Sequence, residues 1–158
     1  MMKSFFKGFV YAFNGIVWAL KYERNMRFHF ALSVYMFAYL LIYDFFVLTN
    51  AEWTAIILSA AAVFACEMFN TAIEKTIDLV TKEKSHLAKI AKDVSAGAVL
   101  FSATASLAVG FTVLWQPDAF RAMFEYYKEH IYMLFVLIIS LVVTFFYVFY
   151  GFKKQGRK

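Results

Sequence analysis

The chain has 158 residues, of which 63% are hydrophobic and 17% are charged, and its formal net charge is +5. Soluble domains carry about 25% charged residues, so the composition excludes an ordinary soluble domain and indicates an integral membrane protein. One proline and six glycines argue against long loops, and the alternating strands of a membrane barrel are absent. The prediction is a single small all-α membrane protein.

The basic residues are concentrated in residues 1–29, 75–92 and 153–158, whereas residues 42–52 have none. Positive segments of membrane proteins face the cytoplasm. Both termini and the 75–92 loop are therefore expected on the cytoplasmic side of the membrane, with four crossings between the termini. The basic segments favour anionic headgroups or phosphates as partners. A nucleic-acid partner is not expected, since no nucleic-acid motif accompanies them.

Residues 3–22 predict an amphipathic helix in the membrane interface. Apolar side chains recur there at spacings of three and four, and only Gly8–Leu20 is free of charge, which is too short for a crossing of about 20 residues. A signal peptide is the alternative, but no small-residue cleavage site follows.

Four crossings are predicted after this helix. The first covers Phe28–Val47, and the second begins at a capping box, Thr49-x-x-Glu52, and runs to about Val80. The third and fourth cover Val94–Trp115 and Ile131–Phe152. Between the last two, Gln116-Pro117 predicts a helix stop, and a short outer amphipathic helix is expected from Asp118 to about Glu129.

The second crossing ends in a polar stripe made by Glu67, Asn70, Glu74 and Asp78. At about 100° per residue the three carboxylates lie within roughly 40° of one another, with Asn70 about 60° to one side. Carboxylates this close to a membrane are expensive and indicate a functional site. The dipeptide Lys92-Asp93 opens the next apolar helix.

Carboxylates with a nearby lysine and a helix N-terminus suit phosphoryl transfer, where positioning and charge neutralisation dominate catalysis. Mg²⁺ binds one or two carboxylates together with substrate phosphates, and Glu67, deepest in the stripe, would act as general base for a lipid hydroxyl. No P-loop or dinucleotide-binding motif is present. A proton-coupled transporter, or a bundle whose carboxylates pair with lysines, remains open at this point.

Three ordered segments carry a family resemblance. They are E-R-N-x-R-x-H at 23–29, E-M-F-N-T-A-I-E-x-x-x-D at 67–78 and L-A-K-x-A-K-D-x-x-A-G-A-V at 87–99. Together they resemble the prokaryotic diacylglycerol kinase family of small membrane lipid kinases, over roughly residues 3–115. The resemblance implies ATP and Mg²⁺, a homotrimer, and a site shared between protomers at the cytoplasmic interface of a bacterial inner (cytoplasmic) membrane.

The resemblance also assigns roles to residues. Glu67 would be the general base, Glu23 and Glu74 would hold the metal, and Asn25, Arg27 and Glu67 would lie near the lipid headgroup. The remaining residues expected near the nucleotide, besides Glu23 and Glu74, are Tyr11, Asn70, Asp78, Glu83, Lys84, Ser85, Lys92 and Asp93. Interfacial anchoring is the alternative for Tyr11, and a solvated loop is the alternative for residues 83–85.

The substrate is expected to be undecaprenol, with diacylglycerol as the alternative. N-T-A-I-E, His29 and A-G-A-V resemble the undecaprenol branch of the family, whereas the diacylglycerol enzymes tend to have glutamate at the position of His29. The family usually has three crossings. Residues 1–116 are therefore expected to be the kinase domain, and residues 117–158 an extension whose fourth crossing is a peripheral helix.

Overall fold

The structure, a computed structural model, describes residues 2–81 and 85–152, with side chains described from residue 5. The predicted nucleotide contacts Glu83 and Lys84 lie outside the described residues. Within them the chain forms six helices and no strand, which confirms the all-α prediction. The helices are α1 (Met2–Tyr22), α2 (Arg24–Ile42), α3 (Asn50–Val80), α4 (His86–Leu114), α5 (Pro117–Glu129) and α6 (Ile131–Tyr150).

The long antiparallel pair α3 and α4 forms the largest helix–helix contact of the fold. The predicted capping box starts α3: Thr49 Oγ1 accepts from Glu52 N, and Glu52 Oε2 accepts from Thr49 N at 2.7 Å. Ser85 caps α4 by accepting from Ala88 N. These cap side chains satisfy otherwise unpaired N–H groups, and α3 begins where its sequence predicts a start. The prediction that Lys92-Asp93 opens the next helix is wrong, because Ser85 caps α4 and the helix begins at His86, six residues before Lys92.

Three of the described helices, α3, α4 and α6, are long and apolar enough to cross a membrane. The first predicted crossing differs from the structure: α2 ends at Ile42 rather than Val47, and its start includes Arg24 and Arg27. These charged residues lower its hydropathy, so the membrane crossing of α2 remains a prediction. At about 1.5 Å per residue, α3 is roughly 46 Å long, which exceeds a hydrocarbon core of about 30 Å.

The hydrophobic core lies at the end of the bundle where α2 ends, α3 begins and α4 ends. Its centre is formed by Leu40, Ile56 and Val113, with Trp53 and Phe37 among the side chains packed around it. This core fixes the three helices to one another at one end, so the polar stripe of α3 is held at the opposite end.

The extension is formed by α5 and α6. Pro117 starts α5, as its fixed φ and missing N–H favour, and α6 packs along α2. Tyr35 Oη donates to Ser140 Oγ and is also 3.0 Å from Thr144 Oγ1, while Tyr39 and Tyr127 share a hydrogen bond between their hydroxyls. The fourth crossing, predicted to be peripheral, therefore makes specific polar contacts with α2.

Candidate active site

The polar stripe of α3 is buried at one end and exposed at the other. Glu67 is 2% exposed and Asn70 is 7% exposed, whereas Glu74 is half-buried and the side chain of Asp78 is 54% exposed. The helical spacing predicted a shared face, and the structure adds that this face runs from the protein interior to its surface. A charge at Glu67 is therefore the most shielded from water.

A polar cavity of about 310 Å³ opens beside the stripe. Glu67, Asn70, Thr71 and Glu74 line it from α3, and the start of α2 closes the other side. The residues contributed by that second side are Glu23, Arg24 and Asn25. The structure thus brings both predicted metal-binding carboxylates, Glu23 and Glu74, to one cavity that Glu67 also lines.

A chain of hydrogen bonds orients the amide of Asn70. Ser95 Oγ, which is buried on α4, donates to Asn70 Oδ1 at 2.6 Å, and Asn70 Nδ2 donates to Glu74 Oε1 at 3.1 Å. The amide is thereby fixed with its nitrogen towards Glu74. Sequence reasoning missed Ser95. Its position three residues after Lys92, on the same helical face, was the available signal.

Glu67 has a histidine neighbour that sequence reasoning also left out of the site. His29 Nε2 on α2 lies 3.3 Å from Glu67 Oε1, a charged contact when the imidazole is protonated. Within the described residues Glu67 Oε1 has no hydrogen-bond partner, so this contact is electrostatic rather than a directed hydrogen bond. The residue noted in the sequence only as a marker of the family branch contacts the proposed base.

An apolar groove of about 940 Å³ leads away from this point between α2, α3 and α4. A second cavity of about 270 Å³ joins it to the polar cavity, because it shares Glu67 and Asn70 with the polar cavity and Phe28, His29 and Ala103 with the groove. The groove walls include Leu32, Met36, Val63, Phe64, Leu107 and Phe111. Glu67 and His29 therefore stand where the polar space meets the apolar space.

The other predicted nucleotide residues are arranged less tightly. Lys92 Nζ lies 2.5 Å from Asp78 Oδ1, so these two predicted residues pair with each other at the exposed end of the stripe. Asp93 is exposed beside them, and Ser85 is the N-cap of α4. Tyr11 is 69% exposed on α1 and does not line the polar cavity.

Asn25 and Arg27, the two residues expected near the lipid headgroup, are placed differently. Asn25 lines both the polar cavity and the connecting cavity. Arg27 is 5% exposed and donates its hydrogen bonds to backbone carbonyls of Val148 and Lys21. Its guanidinium is thus engaged by α6 rather than directed at the cavity.

The cavity residues fit a magnesium ion that is held mainly by its substrate. In the part of the chain that the structure describes, no three acidic, histidine or cysteine side chains are close enough to hold a metal alone. Mg²⁺ characteristically uses one or two carboxylates and completes its shell with phosphate and water oxygens. Glu23 and Glu74 would supply two such carboxylates. The Glu23 carboxylate also forms an ion pair with Lys75, whose Nζ lies 3.0 Å from Glu23 Oε1.

Comparison with known proteins places this site in a family. The family model for prokaryotic diacylglycerol kinase matches residues 10–114. The chain belongs to the prokaryotic diacylglycerol kinase family. It is therefore a membrane lipid kinase, for which ATP is the phosphate donor, and the resemblance of the three sequence motifs is confirmed.

Two curated relatives agree with this assignment. Undecaprenol kinase of Bacillus subtilis is 42% identical over 113 residues, which cover 71% of this chain and 89% of that protein. Diacylglycerol kinase of a Synechocystis species is 36% identical over 110 residues, which cover 69% of this chain and 61% of that protein. No solved structure has significant similarity to the chain. The family match ends at residue 114, so α5 and α6 lie outside it.

Proposed function

We propose that the protein phosphorylates undecaprenol with Mg²⁺·ATP to give undecaprenyl phosphate. The observation that carries this proposal is the position of Glu67, where the polar cavity joins the apolar groove. A lipid alcohol with its chain in the groove would present its hydroxyl to Glu67, while the polar cavity received the phosphates of the nucleotide. A water-soluble substrate would have no use for the groove.

The reaction assigns a task to each side chain. Glu67 accepts the hydroxyl proton as the lipid oxygen forms its bond to the γ-phosphorus, and the bond between that phosphorus and the β–γ bridging oxygen breaks. Glu23 and Glu74 would hold Mg²⁺, which would neutralise charge on the phosphates. Asn70, fixed by Ser95, and Lys92 with Asp78 and Asp93 orient the nucleotide.

His29 supports the undecaprenol branch. The His29 imidazole lies 3.3 Å from Glu67 Oε1 and, when the imidazole is protonated, stabilises the Glu67 carboxylate. The same imidazole forms part of the wall of the groove. A glutamate at this position, as the diacylglycerol enzymes tend to have, would place a second carboxylate beside the base. The relative named undecaprenol kinase points the same way.

Diacylglycerol remains the second candidate substrate because the Synechocystis relative has that name. The test is an ATP/Mg²⁺ phosphorylation assay on purified protein in mixed micelles, with undecaprenol and diacylglycerol offered at equal mole fraction. We expect undecaprenol to be the better substrate. Preference for diacylglycerol would overturn the substrate and keep the chemistry, and turnover of neither lipid by folded protein would overturn the proposal.

The proposal includes a membrane orientation. Lys21, Arg24, Lys75, Lys89 and Lys92 belong to the same end of the bundle as the polar cavity. The positive-inside rule places that end, with both termini, on the cytoplasmic side of the bacterial inner membrane, where ATP is available. The test is an Arg24→Cys variant treated with a membrane-impermeant maleimide. In intact cells the introduced cysteine should not be labelled, and it should become labelled once the cells are opened.

We also propose that residues 1–116 are the catalytic unit, that residues 117–158 are an extension, and that the enzyme is a homotrimer. The trimer is what the family resemblance implies. Its support in this chain is indirect: α3 and α4 leave large apolar side chains such as Phe69, Leu100 and Phe101 exposed, and these require lipid or a second copy as a partner. Native mass spectrometry from detergent should give three chains, and a monomer that retains turnover would contradict the trimer.

A further inference from the structure

The buried guanidinium of Arg27 joins three helices. Arg27 Nε and Nη2 donate to Val148 O of α6 at 3.1 and 2.8 Å, and Nη1 donates to Lys21 O at the end of α1 at 2.9 Å. Arginine supplies several donors in one rigid plane, which suits it to bind two carbonyls at once. A cation buried to this degree requires such partners, so the packing of α6 and the position of the Arg27 guanidinium depend on each other.

The C-terminus of α6 is shaped to receive this guanidinium. Helices leave their last carbonyls unpaired and carry partial negative charge there, and Val148 is in the last turn of α6. Gly151 follows with a φ of +38°. The positive φ favours glycine, and a Cβ at residue 151 would lie only 2.7 Å from Arg27 Nη1 and Nη2, so a larger residue there would displace the guanidinium.

A second contact from the same turn of α6 reaches the end of α1. Tyr147 Oη donates to Leu20 O at 3.2 Å. Together, Tyr147 and Val148 therefore contact the α1–α2 corner, which we define as residues 19–27. Earlier in α6, the hydrogen bonds of Ser140 and Thr144 with Tyr35 fix the register of the helix against α2.

The α1–α2 corner contains Glu23, the proposed metal ligand. Glu23 is the N-cap of α2; its carbonyl accepts from Arg27 N at 3.2 Å and its N–H donates to Ala19 O at 2.9 Å. The backbone of Glu23 is thus one helical turn from the guanidinium that α6 holds. A shift of the corner would carry the Glu23 carboxylate away from Glu74 on the other side of the polar cavity.

We propose that the C-terminus of α6, through Arg27, positions Glu23 for the metal and makes the extension part of the active-site scaffold. Arg27 is then a positioning residue rather than a contact to the lipid headgroup. The inference rests on the proposed function for its consequence in catalysis, but its structural content is independent of the substrate.

The experiment compares full-length variants that disturb the contact from opposite sides. Arg27→Gln and Arg27→Lys change the donor, Gly151→Ala crowds the guanidinium from α6, and Tyr147→Phe removes the bond to Leu20. The matched control is Tyr150→Phe, which changes a hydroxyl in the same turn on a side chain that is 72% exposed. Each variant is first checked for a single size-exclusion peak and for its melting temperature.

Two readouts do not depend on turnover. Binding of Mn²⁺ with a non-hydrolysable ATP analogue, followed by EPR, should weaken about tenfold in Arg27→Gln and Gly151→Ala, the size expected when a residue that orients a metal ligand is lost. Trypsin cleavage after Lys21 and Arg24, mapped by mass spectrometry, should become faster in both. Arg27→Lys should retain part of the binding, Tyr147→Phe should show a smaller defect, and Tyr150→Phe should match the wild type.

The activity assay then separates the alternatives. Positioning of Glu23 predicts a raised KM for Mg²⁺·ATP in the Arg27 and Gly151 variants, with an unchanged KM for the lipid. A defect confined to the Arg27 variants and to the lipid KM would assign Arg27 to the headgroup and overturn the inference. Unchanged Mn²⁺ binding and unchanged trypsin cleavage in folded Gly151→Ala and Tyr147→Phe would also overturn it.

Failure of the proposed function gives a different result. Wild-type protein that binds Mn²⁺ with the nucleotide but phosphorylates neither lipid would refute the lipid reaction, while the Mn²⁺ and trypsin data would still decide the role of α6.

Discussion

The family core, formed by α1 to α4, and the extension, formed by α5 and α6, use their polar side chains in different ways. In the core, polar side chains from α3 and from the start of α2 converge on one cavity, as Glu67, Asn70 and Glu23 do. In the extension, polar groups form hydrogen bonds with α2 at three levels: Tyr127 at one end, Ser140 and Thr144 midway, and the Val148 carbonyl at the other end.

This difference indicates that α6 contributes to the site by holding α2 in place and not by supplying side chains to the polar cavity. The cavity of the core is lined by carboxylates, of which Glu67 is buried, and buried carboxylates in a membrane protein are energetically costly and indicate a functional site. The contacts of the extension fix α2 along its length, and α2 supplies Glu23 and His29 to the site. Changes in the core should therefore affect turnover first, and changes in the outer part of the extension should affect stability first.

The largest expected effect is that of Glu67→Gln. Removal of the base should lower kcat by about 10²–10⁴-fold, the usual contribution of general base catalysis, and should leave the KM for Mg²⁺·ATP within a few-fold of the wild type. The phosphorylation assay measures both. Glu125→Gln on α5, where the carboxylate is exposed, is the matched control. Wild-type kcat in folded Glu67→Gln would remove Glu67 from the role of base.

A smaller effect is expected for Ser95→Ala. The variant leaves Asn70 Oδ1 without its 2.6 Å donor, so the amide can rotate and its bond to Glu74 is weakened. Loss of a buried hydrogen bond costs about 1 kcal/mol, and we expect kcat/KM for Mg²⁺·ATP to fall about fivefold. Ser102→Ala is the control, because the Ser102 hydroxyl bonds to Val99 O in its own helix. Equal effects of the two variants would refute the orienting role of Ser95.

In the extension, Tyr127→Phe should affect stability and leave turnover unchanged. The variant removes the hydrogen bond that joins α5 to Tyr39 of α2, at a cost of about 1 kcal/mol in the free energy of unfolding. The melting temperature should fall by a few degrees while kcat stays within about twofold of the wild type. Tyr132→Phe, on an exposed side chain, is the control. A large fall in kcat would contradict the division between core and extension.

The pH dependence of this contact gives the smallest effect. Burial, followed by the hydrogen bond with Tyr39, raises the pKa of Tyr127 from 10.0 to about 12. A raised pKa in the folded state means that the stabilisation is fully present below the ordinary pKa and is lost as pH rises through the folded value. Wild-type stability should therefore decline between about pH 10 and 12. This decline should be shallower in Tyr127→Phe, and equal slopes would refute the assignment.

Local periodicity was sufficient to predict most of the helices and the stripe on α3. Residues three and four apart share a helical face whatever surrounds them, so Glu67, Asn70 and Glu74 could be placed together from their spacing. The cap of α3 at Thr49 was predictable for the same reason, because both partners lie within four residues. The end of α2 was placed five residues too late, since apolar composition continues beyond Ile42 after the helix has ended.

The contacts between helices were decided only by tertiary packing. Ser95 meets Asn70 from 25 positions away, and Arg27 meets Val148 from 121 positions away; such contacts depend on how each helix is rotated and offset against its neighbour. His29 is the clearest case, since it is polar and isolated in the sequence but contacts Glu67 once α2 packs on α3. By itself the sequence determined a helical membrane lipid kinase with a carboxylate stripe. The tertiary structure alone decided which side chains surround Glu67 and that α6 holds Arg27, because burial and orientation arise from packing between distant segments.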